Sequence, residues 1–242
     1  MAVNINTVYQ RVLALANKEQ RGYITPQEFN LFANLAQVDI FEQYFYDLNR
    51  VMNIPGNDTQ VADVDEIIKD KIQIFEREDN NTILNTDWGY NAFTGSYNTI
   101  PQYVHRILNV VVGSKLCEIL KTNDYLMRSD GPRLTRPTLD RPIANIRNNT
   151  LRVVAGDGGV TQANNVSYIR RPEQVSWGYV VVNEKALYDS NPLKTVNFEL
   201  HASEESELVY KILKLAGMTL KAQDVVQIGQ SLEQTQIQQE KQ

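Results

Sequence analysis

The feature that most constrains the fold is a change of hydrophobic period, made twice along one chain. Through the first 80 residues apolar side chains recur every three or four positions. Between about Ile100 and Leu200 they gather instead in short β-branched runs punctuated by Pro and Gly, and beyond Ser203 the helical spacing returns. A segment patterned for a helix buries nothing useful as a strand, and the reverse also holds. The expected fold is therefore α+β: a helical layer from the N-terminal and C-terminal helices with an antiparallel β-rich unit inserted between them. The expected divisions are residues 1–98, an N-terminal helical segment with an aromatic loop, then 99–200, the β-rich unit, and 201–242, the C-terminal helices and a Gln-rich tail.

The helices can be placed more closely. Val8, Val12, Leu13 and Ala16 predict an amphipathic helix from Ile5 to about Asn17, with a break at Arg21-Gly22-Tyr23. Thr25-Pro26-Gln27-Glu28 supplies an N-cap, a proline at the first helical position and a reciprocating glutamate, which together form a capping box. The helix it starts should run to about Met52, and its apolar residues cover well over half its circumference, as in a central helix or one in an interface. After Asn53-Ile-Pro55-Gly56, Asp58 or Thr59 could cap a third helix closed by Asn80-Asn81. Thr82 to Thr99 reads as an ordered loop rich in aromatics with a short strand. In the C-terminal part Ser203 is placed as an N-cap ahead of Glu204, Glu205 and Glu207, with Gly217 as the stop and a further helix from near Ala222. Glu233 to Gln242 is too polar for a core and should fray or dock on a partner.

In the middle region Arg106 to Val112, between Pro101 and Gly113, predicts a buried strand, and Leu116 to Met127 fits a short helix or a strand. Pro132, Pro137 and Pro142 mark a turn-rich crossing. Thr150 to Ala155 and Val160-Thr161 flank Gly156-Asp-Gly-Gly159, the strongest hairpin signal in the chain. Val166 to Ile169, Tyr179 to Val182 and Val196 to Leu200 supply further strands.

Several classes of function are disfavoured by the residues present. Net charge is −5 with a pI near 5.2, so no global positive field recruits nucleic acid, and none of the helices is a basic recognition helix. Cys117 is the only cysteine, which removes internal disulfides and multi-cysteine zinc sites, and its apolar neighbours suggest an inert thiol. The N-terminus carries no secretory signal and no segment is apolar for long enough to span a bilayer, so the chain reads as a soluble protein made in the cytoplasm, without membrane contact. The sequon Asn148-Asn149-Thr150 would then carry no glycan.

Asn17 to Glu28 has the register of a calcium-binding loop, with Gly22 sixth and Glu28 twelfth, but Arg21 puts a cation where an oxygen ligand is needed. His105 and His201 lack ligand partners at metal-binding spacing, and the Gly156 cluster lacks the spacing of a phosphate loop. With no nucleophile elbow, paired carboxylates or Cys–His signature, the chain is read as non-enzymatic, without cofactor or metal.

What the sequence offers instead is material for contacts. Tyr168 to Asn183 is strand-like, with Arg170 and Arg171 before Pro172 and with Trp177 and Tyr179 alternating with polar positions, as in a surface built to pack on another surface. Arg133, Arg136, Arg141, Arg170 and Arg171 form a regional basic bias opposed by the acidic stretch at Glu204, Glu205 and Glu207. Two faces of opposite sign suit head-to-side packing of copies around a ring, so Arg170, Arg171, Trp177, Glu204, Glu205 and Glu207 are the candidate subunit-interface residues.

The order of motifs adds a resemblance. Gly22-Tyr-Ile-Thr-Pro-Gln-Glu-Phe29, Ile100-Pro-Gln-Tyr103, Arg136-Pro-Thr138, Arg141-Pro-Ile143, Ser167-Tyr-Ile-Arg-Arg-Pro172, Trp177-Gly-Tyr179, Phe198-Glu-Leu200 and Lys211-Ile-Leu-Lys-Leu-Ala-Gly217 follow one another across most of the chain. In that order they resemble the ring-forming virion proteins of short-tailed phages, most of all those of crAss-like phages and more distantly the tail tubular adaptor beneath a portal. The resemblance implies a structural subunit of the portal–tail, or head-to-tail connector, complex. It would assemble in the host cytoplasm, reside in the virion and form a twelve-fold homo-oligomeric ring against the portal and neighbouring tail rings. DNA would leave through that ring without specific binding, and a negative bore would repel phosphate rather than grip it. The alternative within the same class is a capsid-associated or auxiliary head protein.

Overall fold

The computed structural model describes residues 3–18, 24–52, 59–80, 97–129, 131–156, 160–161, 163, 165–183, 185–219, 231 and 234–235. The fold is α+β, and the chain separates into two compact units: residues 1–74 with 172–242, and residues 75–171. The boundaries thus differ from the expected 98/99 and 200/201. Residues 172–200 join the helical unit, and the β unit begins where the third helix ends.

In the helical unit, α1 (Ile5–Lys18) starts at Asn4, whose Oδ1 accepts from the backbone N–H groups of Asn6 (2.8 Å) and Thr7 (3.3 Å). It buries Ile5, Val8, Tyr9 and Val12. α2 (Pro26–Met52) opens with the expected capping box: Glu28 accepts from the Thr25 N–H at 2.9 Å, and the Glu28 N–H donates to Thr25 Oγ1 at 3.3 Å. These bonds, first the Thr25 amide and then its hydroxyl, hold the Glu28 carboxyl below its ordinary value. The same carboxylate that would close a calcium loop is therefore engaged by the helix start. α3 (Thr59–Gln73) ends well before the expected Asn80-Asn81.

A single 3-10 turn (Ala202–Glu204) leads into α5 (Glu205–Thr219). Its cap is His201 rather than Ser203: the imidazole accepts from the Ser203 N–H at 3.2 Å. Gly217 does not stop the helix, which continues to Thr219 with Gly217 buried within it. Val196 to Leu200 forms no strand; it carries only an isolated bridge from Val196 to Ser176. Among the described residues the regular sheet of this unit is the hairpin β10 (Tyr179–Val182) with β11 (Lys185–Tyr188).

The β unit contains a four-stranded and a five-stranded sheet. The first has the order β1 (Glu76–Asn80), β9 (Asn165–Arg170), β3 (Val104–Val112), β4 (Lys115–Leu116). The second has the order β2 (Tyr97–Thr99), β7 (Thr150–Val154), β6 (Ile143–Arg147), β5 (Glu118–Ile119), with β8 (Val160–Thr161) also on β7. Among the described strands pairing is antiparallel except for β5 with β6, which is parallel and corrects the expectation of a wholly antiparallel unit. Val110 and Ile107 of β3, Val166 and Tyr168 of β9, Ala144 of β6 and Leu151 and Val153 of β7 share one core.

β3 buries Val104, Ile107 and Val110, a period of three rather than two. Register shifts against β9 between Val104 and Arg106 and between Ile107 and Asn109 explain it, since each extra residue turns the next side chain back to the same face. Leu116 to Met127 proves to be both alternatives in succession, β5 and then α4 (Thr122–Ser129), with Tyr125 packed on Ile143 and Val154.

The expected hairpin at Gly156 is present, with Val154 opposite Val160 and Gly156 at φ +79°. A Cβ there would meet Leu139 at an unstrained 3.8 Å, so the backbone alone opposes substitution. Gly156→Val should cost roughly 1 kcal/mol or more, a β-branched residue being disfavoured at positive φ. Urea unfolding checks this, and a loss indistinguishable from zero would contradict the turn. A second tight turn, Asn148-Asn149, has both residues at positive φ (49° and 57°) and joins β6 to β7 with Arg147 opposite Thr150. The expectations for the Arg21-Gly22 break, the aromatic loop before Tyr97, the helix near Ala222 and the tail from Glu233 concern residues that lie wholly or mainly outside those described.

Candidate assembly surfaces

The residues proposed for subunit contact divide sharply by burial. Arg171 is exposed at the end of β9 and Arg170 is half-buried; their backbone N–H groups donate to Tyr103 (2.7 Å) and Phe75 (2.9 Å) within the β unit. Arg133, Arg136 and Arg141 are exposed in the turn-rich crossing. Trp177 is not a surface ring. It is 2 % exposed, lies 4.0 Å from the Tyr9 ring, and its Nε1 donates to Asn6 Oδ1 at 3.2 Å. An alternating pattern of aromatic and polar residues marks one buried face, and here that face is covered by the chain's own α1.

The acidic stretch is also largely internal. Glu204 is buried and pairs with Lys71 of α3 at 2.6 Å; Glu205 pairs with Arg11 of α1 at 2.9 Å; Glu207 is buried 3.3 Å from Lys211. Desolvation pushes the Glu207 carboxyl up to about 7, the Lys211 ammonium opposing this and the Glu204 carboxylate adding to it. Burial works to lower the Lys211 ammonium, but the hydrogen bond to Asp39 and the charge of Glu207 outweigh it and hold that group above its ordinary value. An acidic patch committed to Lys71, Arg11 and Lys211 of its own chain does not form the face expected opposite the arginines.

Three side chains that the sequence reading passed over organise this unit. Asn30, Asn34 and Gln37 stand on one face of α2 at helical spacing. Asn34 accepts from the Val175 N–H and donates to the Val175 carbonyl, both at 2.9 Å. Asn30 does the same for Trp177 at 2.8 and 3.4 Å. Gln37 donates to the Glu173 carbonyl at 2.7 Å and accepts from the Glu199 N–H at 3.2 Å. Alternate residues of the 173–177 segment thus pair with side-chain amides as they would with a neighbouring strand, which satisfies backbone groups that α2 would otherwise leave stranded. The available signal was two asparagines and a glutamine within a helix that is otherwise mostly apolar.

With these residues turned inward, the exposed apolar groups define the surface. On α2, Leu31, Leu35 and Val38 share one helix face with Tyr46, the exposed Glu42 lying between the last two, and Leu35 is 58 % and Tyr46 70 % exposed. On the β10–β11 hairpin Val180, Val181, Val182, Leu187 and Tyr188 are exposed, and because successive strand residues point to opposite faces the hairpin is apolar on both. Its base is anchored where the Tyr179 and Tyr188 rings lie 5.9 and 6.0 Å from Trp177. A two-stranded hairpin is marginal by itself, and this anchor holds it.

Cys117 is buried, and desolvation raises its thiol to about 11, which keeps it protonated and unreactive. Among the described residues no three His, Cys, Asp or Glu side chains converge as a metal site, and no helix is long and apolar enough to cross a membrane. No protein-family model matches the chain, and no curated protein matches it significantly.

Proposed function

We propose that this chain is a structural, non-catalytic subunit that closes into a homo-oligomeric ring in the portal–tail complex of a short-tailed phage, resides in the virion and forms part of the conduit for DNA exit. The observation that carries the assembly reading is the pair of unlike apolar faces on the helical unit, the Leu31–Leu35–Val38–Tyr46 stripe and the Val180–Val182 hairpin. Exposed apolar groups gathered on one face mark contact with partners. Two different faces on one subunit suit a heterologous contact, which closes into a ring when the rotation per subunit permits. The order of motifs shared with phage ring proteins supplies the kind of ring, and a net charge of −5 suits a channel that does not retain DNA.

The interface proposed from opposite charges is accordingly replaced by an apolar one. Leu35→Glu and Val181→Glu should each abolish rings seen by negative-stain imaging and mass photometry, because burying an unpaired carboxylate costs several kcal/mol. Circular dichroism should remain that of a folded subunit, since both side chains are exposed. Raised salt should leave the rings intact, as hydrophobic contacts are not screened. The reading fails if the wild-type protein stays monomeric both alone and with purified tail components, or if phage particles lacking this chain retain a complete tail.

A further inference from the structure

The joint between α2, α3 and the start of α5 gathers buried acid and base. Lys71 of α3 and Lys211 of α5 face three carboxylates: Asp39 of α2, Glu204 and Glu207. Lys211 Nζ gives its shorter contacts to Asp39 Oδ2 (2.5 Å) and Gln43 Oε1 (3.0 Å), leaving Glu207 Oε1 at 3.3 Å, buried and without a well-aligned hydrogen bond. Glu204, by contrast, is served as an anion by Lys71 (2.6 Å) and by the Ser203 hydroxyl (3.2 Å), which is in turn 2.9 Å from His201 Nδ1. Arg11 of α1 is taken up by Glu205, and Lys71 also lies over the Tyr44 ring of α2 at 5.8 Å. Asp39 is largely exposed and draws the Lys211 ammonium toward itself, so of the two buried carboxylates Glu207 keeps the weaker cationic partner, and a buried carboxylate so poorly served is costly to hold as an anion.

We propose that Glu204 and Glu207, with Lys71 and Lys211, form a proton-binding joint that ties α5 to α2 and α3 while one proton is held and loosens when that proton leaves to water. The proton resides on Glu207, the carboxyl with the poorer partners, and its raised affinity follows from the same burial. The sign is the reverse of the usual carboxylate case. Between the ordinary glutamate value and about 7 the folded chain binds more protons than the unfolded one, so stability is fully present at acid pH and falls as pH rises through neutrality.

The test is thermal melting and hydrogen exchange of the α5 start from about pH 5.5 to about pH 8.5. The wild-type midpoint should fall by roughly 5 °C across that range, and α5 protection should fall with it. Glu207→Gln, which mimics the protonated side chain, should remove the fall and melt above the wild type at the alkaline end. Histidines change charge in the same range, so the fall should persist in His201→Asn, which keeps a capping side chain. Glu207→Gln melting below the wild type at the alkaline end would overturn the proposal, because it would mean that an ionised Glu207 stabilises the joint. If that variant does not fold, the carbon-13 shift of the Glu207 carboxyl in the wild type decides: a titration near the ordinary glutamate value overturns the joint and one near neutrality supports it.

Discussion

Trp177→Ala is expected to lower the stability of the helical unit by about 3–5 kcal/mol, a substantial part of what a domain of this size possesses. Three effects add. The indole is 2 % exposed and packs 4.0 Å from Tyr9, so its removal leaves a cavity that neighbouring helices cannot fill without moving. Asn6 Oδ1 loses its donor. The β10–β11 hairpin loses the ring on which Tyr179 and Tyr188 sit, so one of the two proposed assembly faces should lose its orientation as well. Urea unfolding followed by circular dichroism measures the first effect. Trp177→Phe should cost distinctly less, because it retains an aromatic ring beside Tyr9 and loses the indole N–H. A cost below about 1 kcal/mol for the alanine variant would place the indole outside the core.

Asn34→Ala should be nearly as damaging, at about 2–4 kcal/mol, although it removes few atoms. Its amide serves both the N–H and the carbonyl of Val175, and deletion leaves two backbone groups beside α2 without partners, each costing about 1–3 kcal/mol. Asn30→Ala should cost less, since its contact to the Trp177 carbonyl is already long at 3.4 Å. Hydrogen exchange distinguishes this mechanism from general loosening: the Val175 amide should lose protection before the rest of the unit. If that amide stays protected in Asn34→Ala, the side-chain ladder does not hold the segment.

Local chemistry was legible wherever a short run of residues decides the outcome alone. The Thr25–Glu28 box starts α2 where expected because its bonds join residues three apart. The Gly156 hairpin forms because its glycine tolerates positive φ. Asn148-Asn149 carries a comparable turn signal, readable from the tolerance of asparagine for that region, though hydrophobic period alone passes over it. Glu76 to Asn80 escaped for a different reason. Glu-Arg-Glu-Asp-Asn has no strand propensity, and it becomes β1 only because β9 offers an unpaired edge beside it.

The candidate assembly residues show the same division. Trp177, Glu204 and Glu205 could be recognised as contact-making from their types and spacing, but whether the contact lies inside or outside the chain depends on residues more than a hundred positions away: Tyr9, Lys71 and Arg11. The amino-acid sequence by itself determined the α+β class, the start of α2 and the Gly156 hairpin, because period, caps and positive-φ residues act over one or two turns of chain. The tertiary structure alone decided which polar groups are buried, which charges cancel and which apolar faces remain open. Those outcomes depend on desolvation, and desolvation is set by what packs on top, not by what comes next in the chain.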